Sequence, residues 1–287
     1  CEGLPVNYEL LRAGGYAPDH APNPLRQSEV RVSSRLREAD VVINVPKCKT
    51  HGQTLFTGAI KNLFGGVAPR DRIAIHSLGG FGGLSEAVVD AFACLRPHLT
   101  VMDAVVGMEG NGPTRGRPRP LGWIAAATDA VALDAVMEYL IGYEAGEVRV
   151  TAAAARQGLG DGCLASIQVD GCDIKRARVA FERPPGLIKH GIPPWVGGVV
   201  SKHLWVRPVF DTRRCIGCGA CAAVCPGGAI TADGKAAVDY ERCVECFCCQ
   251  EVCPVDAIDT RESLLARVVV GNSRRVRAET GDRRGFA

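Results

Sequence analysis

The chain has 287 residues, 47% hydrophobic and 23% charged, with a net charge of +3. That balance belongs to a folded globular protein rather than a disordered one. The charge is too small to imply nucleic-acid binding on its own, no apolar run is long enough for a membrane span, and no signal-peptide pattern is present.

Residues 1–38 read as loop-rich, with turns at Gly14-Gly15 and from Pro18 to Pro24. The run Val41-Val42-Ile43-Asn44-Val45, closed by Pro46, predicts a buried strand. A helix is expected from about Thr54 to Phe64. Phe56, Ala59, Ile60 and Leu63 form its apolar stripe, Thr54, Thr57 and Lys61 share another face, and Gly65-Gly66 ends it. Beyond the glycine-rich stretch 79–83, a second helix is expected from Ser85 to Leu95. A strand over Leu99–Met102 then ends at Asp103, and a long Gly/Pro-rich loop covers 107–120. Next come a strand over 122–127, a helix opened by Asp129 and ending near Ile141, a helix from Val148 to Gln157, and a last strand at Ile167–Val169. Strands alternating with helices argue for an α/β fold, a layered domain with a mostly parallel sheet, over residues 1–185. Residues 186–209, with Pro193-Pro194 and Gly197-Gly198, read as a linker. A small second domain is assigned to 210–261 and an Arg-rich tail to 262–287.

The second domain is defined by cysteines. Eight of the chain's fourteen form two copies of one run. The first is Cys215-x2-Cys218-x2-Cys221-x3-Cys225-Pro226. The second is Cys243-x2-Cys246-x2-Cys249-x3-Cys253-Pro254. This is the thiolate spacing of a bacterial-type ferredoxin, a small α+β unit with two [4Fe–4S] clusters, in which the fourth cysteine of each run ligates the other cube. Cluster one is therefore assigned to Cys215, Cys218, Cys221 and Cys253, and cluster two to Cys243, Cys246, Cys249 and Cys225. Zinc favours two cysteine pairs split by a longer loop. Cys248 is a competitor that the spacing disfavours. Asp233-Gly234, between Ala229–Ala232 and Ala236–Val238, signals a hairpin. Iron-holding thiolates must stay reduced, so a cytoplasmic location and a redox partner protein are expected. Most of the other six cysteines read as small buried hydrophobes.

The first domain carries Asn44-Val45-Pro46-Lys47-Cys48-Lys49-Thr50-His51, then Thr54, Thr57, Lys61-Asn62 and Gly65. Further on come Asp103, the stretch from Gly107 through Glu109 and Asn111 to Thr114, and Asp129-x2-Ala132-Leu133-Asp134. Together with the cysteine unit these closely resemble the family known as domain of unknown function 362, over about residues 35–265. The resemblance implies a further α/β segment upstream, in keeping with a chain that opens at Cys1 rather than methionine. It implies no activity, and an apolar residue is usual at Cys48, against a nucleophile there.

A site must therefore be read from the residues. Ligands of open α/β sheets bind outside the carboxyl ends of strands. Lys47, Lys49 and His51 follow the first strand, Asp103, Glu109, Asn111 and Arg115 follow the Leu99–Met102 strand, and Lys61 and Asn62 lie on the intervening helix. Convergence there would make a basic pocket for a small anionic substrate, with Lys47, Lys49, His51 and Lys61 catalytic and the others binding. A surface Lys-x-Lys is equally read as solvated, and the loop bearing Glu109 as structural. Asp129 and Asp134 read as helix-capping and packing residues, His76 and His98 as structural. No dinucleotide or Walker loop accompanies these residues.

Overall fold

The computed structural model describes residues 9–184 and 205–264, apart from Arg12, 79–82, Thr114, Pro226 and Val244. The segment expected to be loop-rich instead contains a hairpin, β1 (Tyr16–His20) antiparallel to β2 (Glu29–Ser33), followed by α1 (Ser34–Glu38). Its connecting loop is held by a distant carboxylate. Buried Asp90 accepts the backbone N–H groups of Leu25, Arg26 and Gln27, each at 2.8 Å.

The central sheet is built from β3 (Ile43–Asn44), β4 (Lys47–His51), β5 (Leu55–Thr57), β6 (Leu99–Asn111) and β7 (Arg115–Ala127). β3 and β4 run parallel to β6, while β5 pairs antiparallel with β4 and β7 antiparallel with β6. The sheet is therefore mixed, not mostly parallel. The reason is covalent: three residues join β6 to β7, and a parallel return needs a crossover of a dozen or more. The expected 107–120 loop is the far half of this long hairpin, with Glu109 opposite Arg117 and Asn111 opposite Arg115. The strand expected over Val41–Val45 is reduced to β3, which stops short of Pro46. The Pro46 carbonyl accepts the Asp103 N–H at 2.9 Å, so pairing continues into β4.

The expected Thr54–Phe64 helix splits into β5 and a short α2 (Ala59–Leu63). Leu55 has φ +65°, which breaks any helix there. Between β4 and β5, Nδ1 of His51 accepts the N–H groups of Gln53 (3.1 Å) and Thr54 (3.3 Å), closing the turn. α3 (Pro69–Ser77), α4 (Gly83–Cys94), α5 (Ala130–Leu140), α6 (Arg149–Arg156) and α7 (Ile174–Ala177) follow. Asp129 caps α5 as expected, accepting from Val131 and Ala132. Ile167–Val169 forms no strand.

α2, α4, α5 and α6 bury Ile60, Val88, Phe92, Val131, Met137 and Ala154 in one core with Met102 and Ala104 of β6. Burying such side chains supplies most of the folding drive. Asp134 of α5 caps the neighbouring α2: Oδ1 accepts from Ala59 N at 2.6 Å and Oδ2 from Ile60 N at 3.0 Å. A side chain at Gly58 would put its Cβ 2.1 Å from Oδ1, so only glycine admits this contact.

The opposite side of the sheet is different. Over 41–48, which includes β3 and the start of β4, Asn44 and Cys48 are buried, whereas Val41 (62%), Ile43 (57%) and Val45 (64%) are exposed, as are Val105, Val106 and Ile124. The run expected to be a fully buried strand is buried on one face only.

The cysteine-rich unit begins earlier than the linker boundary suggests. β8 (Val206–Phe210) pairs antiparallel with β11 (Ile258–Glu262), the two enclosing the cysteine runs. Between them lie α8 (Ala220–Ala223), β9 (Ile230–Thr231), β10 (Ala237–Val238) and α9 (Cys248–Glu251). The expected hairpin forms from β9 and β10, with Gly234 at φ +91° in its turn. The rest of the linker before 205, and the tail beyond 264, lie outside the described residues.

Candidate functional site

Each cysteine run is a loop closed by one helical turn. Gly217 and Gly219 adopt φ of +72° and +74°, and a Cβ on Gly217 would sit 2.4 Å from the Gly234 carbonyl. Such backbone turns point N–H groups inward. Ala236 N donates to Cys215 Sγ (3.5 Å), Ala229 N to Cys225 Sγ (3.2 Å) and Ala257 N to Cys253 Sγ (3.2 Å). The last two bonds repeat one i, i+4 geometry in both runs. N–H donors of this kind favour thiolate and tune a cluster's potential. The Ala236 bond, with that of Gly217, holds the Cys215 thiol below its usual range.

One cavity is lined by Cys215, Cys218 and Cys221 of the first run and Cys253 of the second. Its remaining wall is apolar, including Phe210, Ile216 and Ile258. Among the described residues no three Cys, His, Asp or Glu side chains close on one point as ligands of a single ion would. Four soft sulfur donors around an apolar cavity fit an iron–sulfur cube. In the other set, burial pushes Cys249 up to about 12, with Cys243 and Cys225 adding to the shift through proximity. Cys248 hydrogen-bonds Cys246, which raises the Cys246 thiol.

The residues expected to form a basic pocket are distributed more widely. Lys47 is exposed on β4 and pairs with Asp103 on β6 at 2.6 Å, holding that carboxyl below its usual range. Lys49, two residues on, lies on the same side of the strand, half-buried opposite Met108. His51 is buried, with Nδ1 committed to its own turn. Lys61 lies 5.3 Å over the Phe64 ring, and Asn62 donates to Asn44 Oδ1 at 2.7 Å, on the helix-covered side of the sheet. Glu109 is buried at the far end of β6, accepting the Glu182 N–H at 3.1 Å. Asn111 ends β6, and Arg115 opens β7 opposite it; the Arg115 side chain lies outside the described residues. Lys47, at the start of β4, is thus paired with Asp103 of β6, while Lys49 stands opposite Met108 beyond a break in register. Lys61, Asn62 and Glu109 stand apart from them.

Two family models match the chain. That of a domain of unknown function, DUF362, matches residues 1–138, and that of a 4Fe-4S dicluster domain matches residues 214–257. The chain carries both domains. It is also similar to the thylakoid-associated protein sll1697 of Synechocystis sp. (strain ATCC 27184 / PCC 6803 / Kazusa), 35% identical over 160 residues. The match takes in 55% of this chain and 49% of that protein, so the chain spans about half the length of the curated relative it matches. The ferredoxin-type domain makes this a 4Fe–4S iron–sulfur protein. No described helix is long and apolar enough to cross a membrane.

Within the DUF362 region, Cys48 is fully buried and pushed up to about 12 by burial, the setting of a packing residue rather than a nucleophile. His76 is driven down to about 3, chiefly by burial, and packs edge-on against Phe64. His98 accepts the Val42 N–H at 3.1 Å. Sequence reasoning overlooked Glu138. It lies four residues after Asp134 on α5 and is buried with it. The available signal was two carboxylates at i, i+4 on the apolar face of a helix.

Proposed function

We propose that the chain is an electron-transfer protein holding two [4Fe–4S] clusters, one on Cys215, Cys218, Cys221 and Cys253, the other on Cys243, Cys246, Cys249 and Cys225. The observation that carries this reading is Cys253 in the wall of the cavity that Cys215, Cys218 and Cys221 of the first run also line. Each cube supplies one-electron redox chemistry when bound. The chain's own part is to present thiolates, donate N–H bonds to sulfur and exclude water with Phe210 and Ile258. A redox partner protein is the natural acceptor. The exposed apolar face of the DUF362 sheet supports a role in partner docking, and the need for reduced thiolates supports a reducing compartment such as the cytoplasm. Anaerobic purification should yield about eight iron and eight sulfide per chain. Cys253→Ser should leave about half of that iron. Full iron content in Cys253→Ser, or half content in the unaltered protein, overturns the assignment.

A second reading keeps the domain as a ferredoxin-coupled oxidoreductase for a small anionic substrate. What favours it is the exposed Lys47–Asp103 pair across β4 and β6, with Lys49 two residues along β4. On this reading His51, Lys61, Asn62, Glu109, Asn111 and Arg115 support the site from around it. Lys47→Ala would then abolish turnover of an anionic substrate while cluster EPR stays intact. Retained turnover removes this reading and leaves the electron carrier.

A further inference from the structure

Glu138 has a setting that neither reading uses. It is 5% exposed, and Thr151 of α6, itself 4% exposed, donates to its Oε1. That hydroxyl is the one hydrogen-bond donor to Glu138 among the described residues. The carboxyl borders a cavity of about 110 Å³, shared with Thr151, Tyr139, Tyr143, Ala152 and Leu164. One ordered water needs only about 10–15 Å³ by the same measure, so there is room for a small organic molecule.

None of the ion pairs among the described residues includes Glu138. Arg178 pairs with Glu144 at the cavity wall and stacks 4.4 Å over Tyr139. Arg183 pairs with Glu147 and stacks 3.9 Å over Tyr143. Burial raises the Glu138 carboxyl well above its usual range, and the like charges of Asp134, one turn earlier on α5, and of Glu147 raise it further, against the Thr151 hydrogen bond. A buried carboxylate is stable only when paired and hydrogen-bonded; otherwise it holds its proton.

We propose that this cavity binds a small primary ammonium ion, with its N–H groups on the free oxygen of Glu138 and on Thr151 Oγ1, and its carbon end against Ala152 and Leu164. The site is independent of the clusters and of the Lys47 group. Binding exchanges the Glu138 proton for the ammonium ion, so affinity should rise tenfold per pH unit below the raised carboxyl value and level off above it.

The test uses the intact, cluster-loaded chain and ethylammonium chloride, with tetramethylammonium and sodium chlorides as controls. Ethylammonium should produce saturable NMR shifts at Thr151 and Ala152 with Kd near or below about 1 mM. Glu138→Gln should weaken binding at least about tenfold, the loss of one charge-assisted bond. Ala152→Leu, which fills the cavity but keeps the carboxyl, should abolish it and remains informative if Glu138→Gln does not fold. Absent or non-saturable shifts, equal shifts with tetramethylammonium, or undiminished binding in Ala152→Leu overturns the proposal.

Discussion

The DUF362 region and the cluster unit solve the same stability problem in opposite ways. The first packs four helices on one face of a sheet and fills the space with branched side chains such as Ile60, Val88 and Met137. Its few buried charges are put to structural use, as Asp134 is at the start of α2 and Asp90 under the Leu25–Gln27 loop. The cluster unit has almost no such filling. Its buried centre is Cys221, Ile230, Ala236, Cys249 and Ile258, beside a cavity rimmed by cysteines. So small a core rarely supports a fold without a staple. In one region the apolar side chains are the core; in the other, on the reading proposed above, bound iron–sulfur cubes would complete it.

The sharpest way to break this comparison is to remove the metal. Chelation under anaerobic conditions should collapse protection against hydrogen exchange across 205–264 and leave the α4 and α5 amides protected. Uniform loss across both regions would show that they fold as one unit. Next in size is Asp134→Ala, which strands two buried N–H groups and should cost about 2–4 kcal/mol. Denaturant unfolding should register that loss in the DUF362 region while cluster EPR is unchanged.

A smaller effect follows from acid–base linkage. Burial raises the Asp134 carboxyl from 3.8 to about 7, and Glu138 moves the same way. The folded state then holds protons that the unfolded state has released, so this contribution to stability falls as pH rises from about 4 to about 7 and is flat above. Asp134→Asn should flatten that slope in urea titrations across the pH range. The smallest change is expected at Lys47–Asp103. Both side chains are nearly half exposed, so Asp103→Asn should alter stability by less than about 1 kcal/mol. A larger loss would mean that the pair is covered in solution, as docking on this face would require.

Local chemistry was legible wherever short-range rules apply. The cysteine runs, the Asp233-Gly234 hairpin, the Asp129 cap and the helices through Phe92, Met137 and Ala153 all stand where residue patterns point. The strand Leu99–Met102 was legible too, but not its continuation to Asn111. Glycine and proline between 107 and 120 resemble a loop when no partner strand is in view. Pairing with β7 satisfies the backbone there, and Phe181 and Glu182 pack against Gly107 and Gly110. Lys47–His51 likewise reads as a loop after Pro46, because the Asp103 N–H that takes up the Pro46 carbonyl lies 57 residues away in sequence.

By itself the sequence determined the two cysteine runs, the ferredoxin-type character of the unit that holds them and the identity of the main helices. These rest on spacing and periodicity within a few residues, which a chain carries whatever its partners. Only the tertiary structure decided that the sheet is mixed, that His51 and Asn62 are occupied by neighbours, that Val41, Ile43 and Val45 are exposed, and that Glu138 borders a cavity. Each of these depends on which distant backbone and side-chain groups come to share one volume, and hydrogen-bond satisfaction and burial are settled only there.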